Sequence, residues 1–336
     1  MIIARTPYRV SLFGGGTDYP AWYEKHGGAC LVSAIDKFCY VTLRYQPPFF
    51  KHLSRICWSK VELVSNNLDI ENPAVRGTLE FLNKSDVGLE VHHQGDLPAS
   101  SGMGSSSSFV VGLLNAHACL TGLQNDGNCH EFAMSLAKTA VRIEREFVGD
   151  EVGVQDQHAA ALGGVNLLEI SGSGKIRVSE CNPWFCDELE ERLILFFLGT
   201  TRHASEIAKA QVAEVGKHEQ AMYQIMQQAQ LGYQMLIGIT PLSYFPDLLN
   251  SAWEIKRSLS PIISNSFVDQ VRIGLMSNGA KAVKLIGAGA GGFMLAYVEP
   301  DMRQRLCQWA QANKLLPVSF QFCYNGSEII FDGRAQ

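Results

Sequence analysis

Long apolar stretches are missing from this chain of 336 residues. The longest clean run, Leu193–Leu198, falls far short of the roughly 20 residues that a membrane-spanning helix needs. Charge is sparse at 18%, and 28 basic against 33 acidic side chains leave a net charge of -5, which argues against a general nucleic-acid binder. Nine cysteines, an odd number, match no zinc-ligand spacing and read as reduced thiols. Internal repeats and low-complexity linkers are lacking too. Met1-Ile-Ile-Ala-Arg reads as a first strand, without the charged and apolar regions of a secretory signal. The expectation from these absences is a cytoplasmic globular protein without nucleic-acid or membrane partners. With 46% hydrophobic residues, the chain is long enough for two domains with sizeable cores.

What is present is glycine, in three ordered segments. They are Pro7-Tyr-Arg-Val-Ser-Leu-Phe-Gly-Gly-Gly-Thr-Asp18, Leu97-Pro-Ala-Ser-Ser-Gly-Met-Gly-Ser-Ser-Ser-Ser108 and Lys284-Leu-Ile-Gly-Ala-Gly-Ala-Gly-Gly-Phe293. Glycine and serine let backbone N–H groups approach an anion closely. Alone, the first segment reads as a turn ahead of a capped helix, and the third as a tight hairpin. The middle one carries more. A strand pattern, Leu89-Glu-Val-His-His, enters it, and Phe109, Leu113, Ala116 and Leu120 leave it at helical spacing. The loop therefore ends on a helix N-terminus, whose unpaired N–H groups and dipole favour phosphate. The same composition would also suit a flexible linker. No glycine is followed by Lys-Ser or Lys-Thr here, so this is not a P-loop NTPase. Three such loops at one site suit a triphosphate and a polyol, and so a small-molecule kinase.

Periodicity predicts strands at Cys30–Ile35, Cys39–Tyr45, Val61–Val64, Gly164–Ile170, Ile176–Val178 and Leu193–Leu198. Helices are predicted at Asn72–Leu82, Ser105–Thr121, His130–Phe147 and from Ala204 to about Gly238. The tail then reads strand, strand, helix (Met302–Asn313), strand, strand. The fold class is α+β in two layers. Domains are expected at residues 1–185 and 186–336, with a strand able to cross back between them.

The three segments, in this order, resemble the GHMP kinase superfamily of galactokinase, homoserine kinase, mevalonate kinase and phosphomevalonate kinase. The resemblance runs over essentially the whole chain. Pro98 with Gly102-Met-Gly-Ser-Ser106 matches the superfamily's middle motif. Arg9–Asp18 and Gly199-Thr-Thr-Arg-His-Ala-Ser-Glu look most like the heptose 7-phosphate kinases. The resemblance implies a two-domain fold, with an N-terminal domain like ribosomal protein S5 domain 2 and a ferredoxin-like C-terminal domain. It also implies ATP and Mg²⁺ as cofactors, a small-molecule sugar or sugar phosphate as partner, and a monomer or homodimer. The expected reaction is phosphorylation of an anomeric hydroxyl, that of D-glycero-D-manno-heptose 7-phosphate. A galactokinase- or fucokinase-like sugar 1-kinase, a decarboxylase of the superfamily and a non-catalytic sugar- and ATP-binding regulator stay open.

Site residues follow from the same matching. Pro98, Ser101, Gly102, Met103, Gly104, Ser105, Ser106 and Ser107 would bind ATP. Asp156 would face the acceptor hydroxyl, with Arg9 as a fixed positive charge beside it. Glu144, twelve residues before Asp156, and Ser106 would ligate Mg²⁺. Gly15, Gly16, Thr17 and Asp18 would meet the sugar, with Gly289 and Gly291 near it. Galactokinases carry glutamate and histidine where Gly15 and Gly16 stand, and the two glycines leave room for a differently shaped sugar. Arg202, beside His203, is the expected partner of a 7-phosphate, because arginine forks phosphate bidentately.

Overall fold

The computed structural model describes residues 1–123, 129–199 and 218–334. In chain order the first half runs β1 (Ile2–Phe13), α1 (Pro20–His26), β2 (Gly28–Tyr45), β3 (Ser54–Cys57), β4 (Val61–Val64), α2 (Pro73–Phe81), β5 (Leu89–Gly95), α3 (Ser105–Leu120) and α4 (Cys129–Arg142). A π-helical turn (Ile143–Val148) leads to α5 (Gln155–Leu162), β6 (Val165–Ile170), β7 (Ile176–Glu180) and α6 (Pro183–Glu190). The rest comprises β8 (Leu193–Phe197), α7 (Glu219–Leu236), α8 (Phe245–Ser258), α9 (Ser266–Ser277), β9 (Ala280–Leu285), β10 (Phe293–Val298), α10 (Pro300–Ala312), β11 (Leu316–Val318) and β12 (Glu328–Asp332).

Two sheets result. The larger has the order β12-β1-β2-β5-β3-β4, with β6 also on β2 and β7 beyond it. The smaller has the order β11-β8-β10-β9. Where the sequence suggests two strands, β2 is one strand of 18 residues. Its register against β1 jumps from Pro7–Phe38 to Tyr8–Ile35, and the skipped Asp36-Lys37 is the polar break in the pattern. On the side away from β1, the first part of β2 pairs with β6 and the last part with β5. The strand thus splays to serve two neighbours.

Helix α3 lies against β1 and β2, and Phe109, Val110, Val111, Leu113, Leu114 and Ala116 are all buried. A helix apolar on every face belongs in an interior. Gly112 permits the close approach: a Cβ there would come within 2.7 Å of Thr6 Oγ1. Helices α8, α9 and α10 cover the smaller sheet, whose core holds Phe196, Trp253, Val268, Leu275, Leu285 and Met294. Neither α8 nor α9 is foreseen by the sequence reading, although Asn265 caps α9 by accepting from Val268 N at 3.0 Å.

We propose the unit boundary near residue 185, between the two sheets. Elements cross it: β12 returns from the C-terminal tail to pair with β1, and α7 packs against β2.

Candidate active site

The middle glycine loop reaches α3 through two residues that need glycine. Gly102 (φ 81°) and Gly104 (φ 74°) both take the left-handed conformation, and Gly104 is the residue before the helix. No side chain caps α3. Ser108 N donates to Gly104 O at 2.9 Å, so the N–H groups of Ser105, Ser106 and Ser107 precede the first helical bond. The helix dipole adds positive potential at that point. This end can hold phosphate.

Beside it stands an ion pair between buried Arg9 and partly exposed Asp156. Arg9 Nε donates to Asp156 Oδ1 at 2.7 Å and Nη2 to Oδ2 at 2.6 Å, a bidentate fork. Arg9 Nη1 donates to Gly102 O at 2.6 Å, and its backbone N–H to Met103 O at 3.1 Å. A Cβ on Gly104 would lie 3.1 Å from Arg9 Cγ and 3.3 Å from Asp156 Oδ2. The loop, Arg9 and Asp156 are therefore one packed unit. Arg9 is brought there by β1 and Asp156 by the first turn of α5, a helix the sequence reading leaves unassigned.

Glu144 sits in the π-helical turn, an irregularity that recurs at functional sites. It is fully buried. Ser107 Oγ donates to both its oxygens, at 3.1 and 2.9 Å, and Gln157 Nε2 donates to Oε2 at 2.5 Å. Burial pushes its carboxyl up to about 7, against the opposing pull of the Gln157 and Ser107 hydrogen bonds. Ser106 also hydrogen-bonds toward this carboxylate, but it is exposed while Ser107 is buried. A buried carboxylate beside a serine hydroxyl, with no cation on it, is a hard-oxygen donor pair of the kind Mg²⁺ accepts. Among the described residues no larger cluster of acidic, histidine or cysteine side chains could hold a metal. That is compatible with Mg²⁺, which takes few protein ligands and completes its shell with phosphate and water.

The first glycine loop meets the same place from the other side, but two of its expected sugar contacts face inwards. Thr17 Oγ1 donates to Gly14 O at 2.8 Å and Ala29 O at 3.0 Å and accepts from Ala29 N at 3.1 Å. Asp18, 1% exposed, accepts from Gly16 N and Val154 N at 3.0 Å and from Gln155 N at 3.3 Å. Burial raises the Asp18 carboxyl, and the nearby Asp156 charge raises it further. Both side chains are engaged within the protein. Thr17 ties the first loop to the start of β2, and Asp18 ties it to the start of α5.

The third loop backs the second. Gly287 (φ 74°) leaves no room for a Cβ, which would lie 2.4 Å from Gly102 Cα. Gly292 does the same against Ser101, where a Cβ would lie 2.3 Å from Ser101 O, while Gly289 lies over the Ile263 backbone and Gly291 is buried. Ser101 and Pro98 support the loop as well, Ser101 Oγ donating to Pro98 O at 2.6 Å.

Sequence reading missed two lysines. Lys284 Nζ donates to Leu12 O at 2.5 Å and Ser11 O at 3.3 Å. Lys256, from α8, donates to Gly287 O and Leu285 O. Burial lowers both ammonium groups, Lys256 to about 8, and their positive neighbours lower them further. Lys284 stands inside the third segment and was legible as a cation. Nothing in the pattern marks Lys256. Arg202 and His203 lie outside the described residues.

Comparison with known proteins now has a geometry to meet. Residues 72–164 match the GHMP kinases N terminal domain family. A curated relative, the D-glycero-alpha-D-manno-heptose 7-phosphate kinase of Campylobacter jejuni, is 30% identical over 340 residues, covering 97% of this chain and 97% of its own. A solved putative sugar kinase from Campylobacter jejuni is 26% identical with a TM-score of 0.74, over 98% of this chain and 97% of that one. A solved D-glycero-D-manno-heptose 1-phosphate kinase from Bacteroides thetaiotaomicron shares the fold at TM-score 0.79 and 24% identity, covering 99% of both chains. Among the described residues no helix is long and apolar enough to cross a membrane.

Proposed function

The chain belongs to the GHMP kinase family, and from that premise we propose that it transfers the γ-phosphate of ATP to the anomeric hydroxyl of D-glycero-D-manno-heptose 7-phosphate, giving the 1,7-bisphosphate. Carbohydrate kinase activity with ATP rests on the family relationship. The heptose rests on the near full-length likeness to the Campylobacter jejuni enzyme. The observation that carries the chemistry is the convergence of the uncapped α3 N-terminus with the Arg9–Asp156 fork.

In this reading the N–H groups of Ser105–Ser107 and the loop glycines take the ATP phosphates. Asp156 accepts a hydrogen bond from the anomeric hydroxyl and aligns its oxygen for attack on the γ-phosphorus. As the new P–O bond forms, ADP leaves and the hydroxyl proton passes toward Asp156 or water. Arg9 keeps the Asp156 carboxylate in place and supplies positive charge where negative charge gathers. Glu144 and Ser106 would hold Mg²⁺, with Ser107 and Gln157 fixing the Glu144 carboxylate. When bound there, Mg²⁺ would supply positive charge against the negative charge of the phosphates.

Presence of both Glu144 and Asp156 speaks against a silent regulator, and the glycines at 15 and 16 against galactose. Arg202 remains the sequence-based candidate for the 7-phosphate. The test is ATP consumption over a panel of heptose 7-phosphate, galactose, fucose and mevalonate, with phosphorus NMR of the product. The reading expects preference for the phosphorylated heptose and a new anomeric phosphate. Arg202→Ala should weaken use of that sugar by about 10- to 150-fold and leave non-phosphorylated sugars and ATP alone. Phosphate on another oxygen, or equal use of galactose or fucose, would overturn the heptose assignment.

A further inference from the structure

Three cations gather where the glycine loops meet, and only one of them has a carboxylate. Arg9 is paired with Asp156. Lys284, 5% exposed, donates to Leu12 O and Ser11 O, with the Phe13 ring centre 5.6 Å from its nitrogen. Lys256, partly buried, donates to Gly287 O and Leu285 O. The Cys30 thiol near Lys284 is raised well above its ordinary value by burial and stays uncharged. Among the described residues, both lysines therefore have neutral partners throughout.

A carbonyl asks for a donor, and an uncharged donor would serve. Burying an ammonium there instead is costly when no counter-ion comes with it. The cost is compounded here, because Arg9 opposes the charge of both lysines and Lys256 opposes that of Lys284. The helix neighbours of Lys256 bring no relief. Glu254 pairs with Arg257 and Arg272, and Arg257 also with Asp269. Three positive charges stand against the one negative charge of Asp156.

This surplus sits where phosphate is expected. Lys256 holds Gly287 O, Gly287 packs on Gly102, and Gly102 O accepts from Arg9 Nη1. Two residues beyond Gly102 stands Gly104, at the uncapped N-terminus of α3. Lys284 holds the end of β1 just ahead of Gly14.

We propose that Lys256 and Lys284 are the standing countercharge for the nucleotide phosphates, and that they bias the site towards the triphosphate. In a poorly solvated interior a nearby charge acts strongly on an anion, and more so the more charge the anion carries. The lysines act across the backbone of the loops, which makes them positioning residues. The inference rests on the kinase reading and goes beyond it by assigning two cations that the transfer chemistry leaves unused.

The experiment is calorimetric binding of ATP, ADP and AMP, in chelator, to wild type, Lys256→Met and Lys256→Arg. Lys256→Met keeps the length of the side chain and removes its charge. It should bind ATP about 10- to 100-fold more weakly, with a smaller loss on ADP and AMP held to within about 3-fold. Lys256→Arg keeps the charge and should recover part of the ATP affinity. An equal loss on all three nucleotides would mean that the lysine only shapes the loop, and no loss that its charge does not reach the phosphates. Either result overturns the proposal. Should Lys256→Met fail to fold, wild type alone decides. Burial brings the Lys256 ammonium down to about 8, so an anion bound beside it should draw in protons at about pH 8 to 9, more for ATP than for AMP. Equal uptake with the two nucleotides overturns the proposal. A wild type that binds no ATP at all overturns the kinase reading and this inference with it.

Discussion

Glu144→Gln tests the buried carboxylate most directly, because its burial sets the sign of the effect and its order of magnitude. In the folded protein burial lifts this carboxyl from its ordinary 4.5 to about 7. The folded state therefore holds a proton that the unfolded chain has released. Stability from this group is complete below the unfolded value and drains away as pH rises from about 4.5 through about 7. The full rise corresponds to about 3 kcal/mol, since each tenfold change in an ionisation constant is about 1.4 kcal/mol. Replacing the carboxyl by an uncharged amide of the same size removes the loss, while Ser107 can still donate to the amide oxygen. Urea denaturation of both proteins, with chelator and without nucleotide, should show the variant gaining on wild type by about 3 kcal/mol between about pH 4 and pH 8. Other titrating groups are shared and largely cancel in the difference. Magnesium and ATP at the higher pH should then restore wild type more than the variant, because an anionic ligand has been lost. A stability difference that stays flat with pH would refute the reasoning. It would mean that the carboxylate is already ionised comfortably in its Ser107–Gln157 cradle.

Asp156→Asn keeps the shape but leaves Arg9 facing an uncharged amide, so turnover should fall by about 10²-fold or more while ATP still binds; near-normal turnover would remove Asp156 from the chemistry. Gly104→Val places a branched side chain at φ 74° against Arg9 and Asp156, costing roughly 1–3 kcal/mol of stability. Nucleotide affinity measured calorimetrically should fall with it, and an unaltered affinity in a folded variant would detach the middle loop from ATP.

Much of the site could be read because its signals are local. A helix N-terminus after a glycine loop is written within Leu97–Leu120, and Ser105–Leu120 is helical where the spacing of Phe109, Leu113 and Ala116 placed it. Arg9, Glu144 and Asp156 were singled out by type and motif. The direction in which side chains point was not legible. Thr17 and Asp18 look like open polar residues in the sequence, yet both bond inwards. The break at Asp36-Lys37 suggests two strands, yet pairing with β1 carries one strand across it.

The chain by itself marked where backbone can come close, because glycine enters left-handed turns and bare approaches most readily, as at Gly102, Gly104 and Gly287. It also determined which helix follows, since apolar periodicity is a short-range property. Tertiary structure alone decided that these glycines meet, that Ser107 as well as Ser106 serves Glu144, and that Lys256 reaches the third loop from a helix 31 residues away in sequence. It decided too that β12 closes on β1. Those facts depend on which distant surfaces bury one another, and burial is a sum over the whole chain that no local pattern contains.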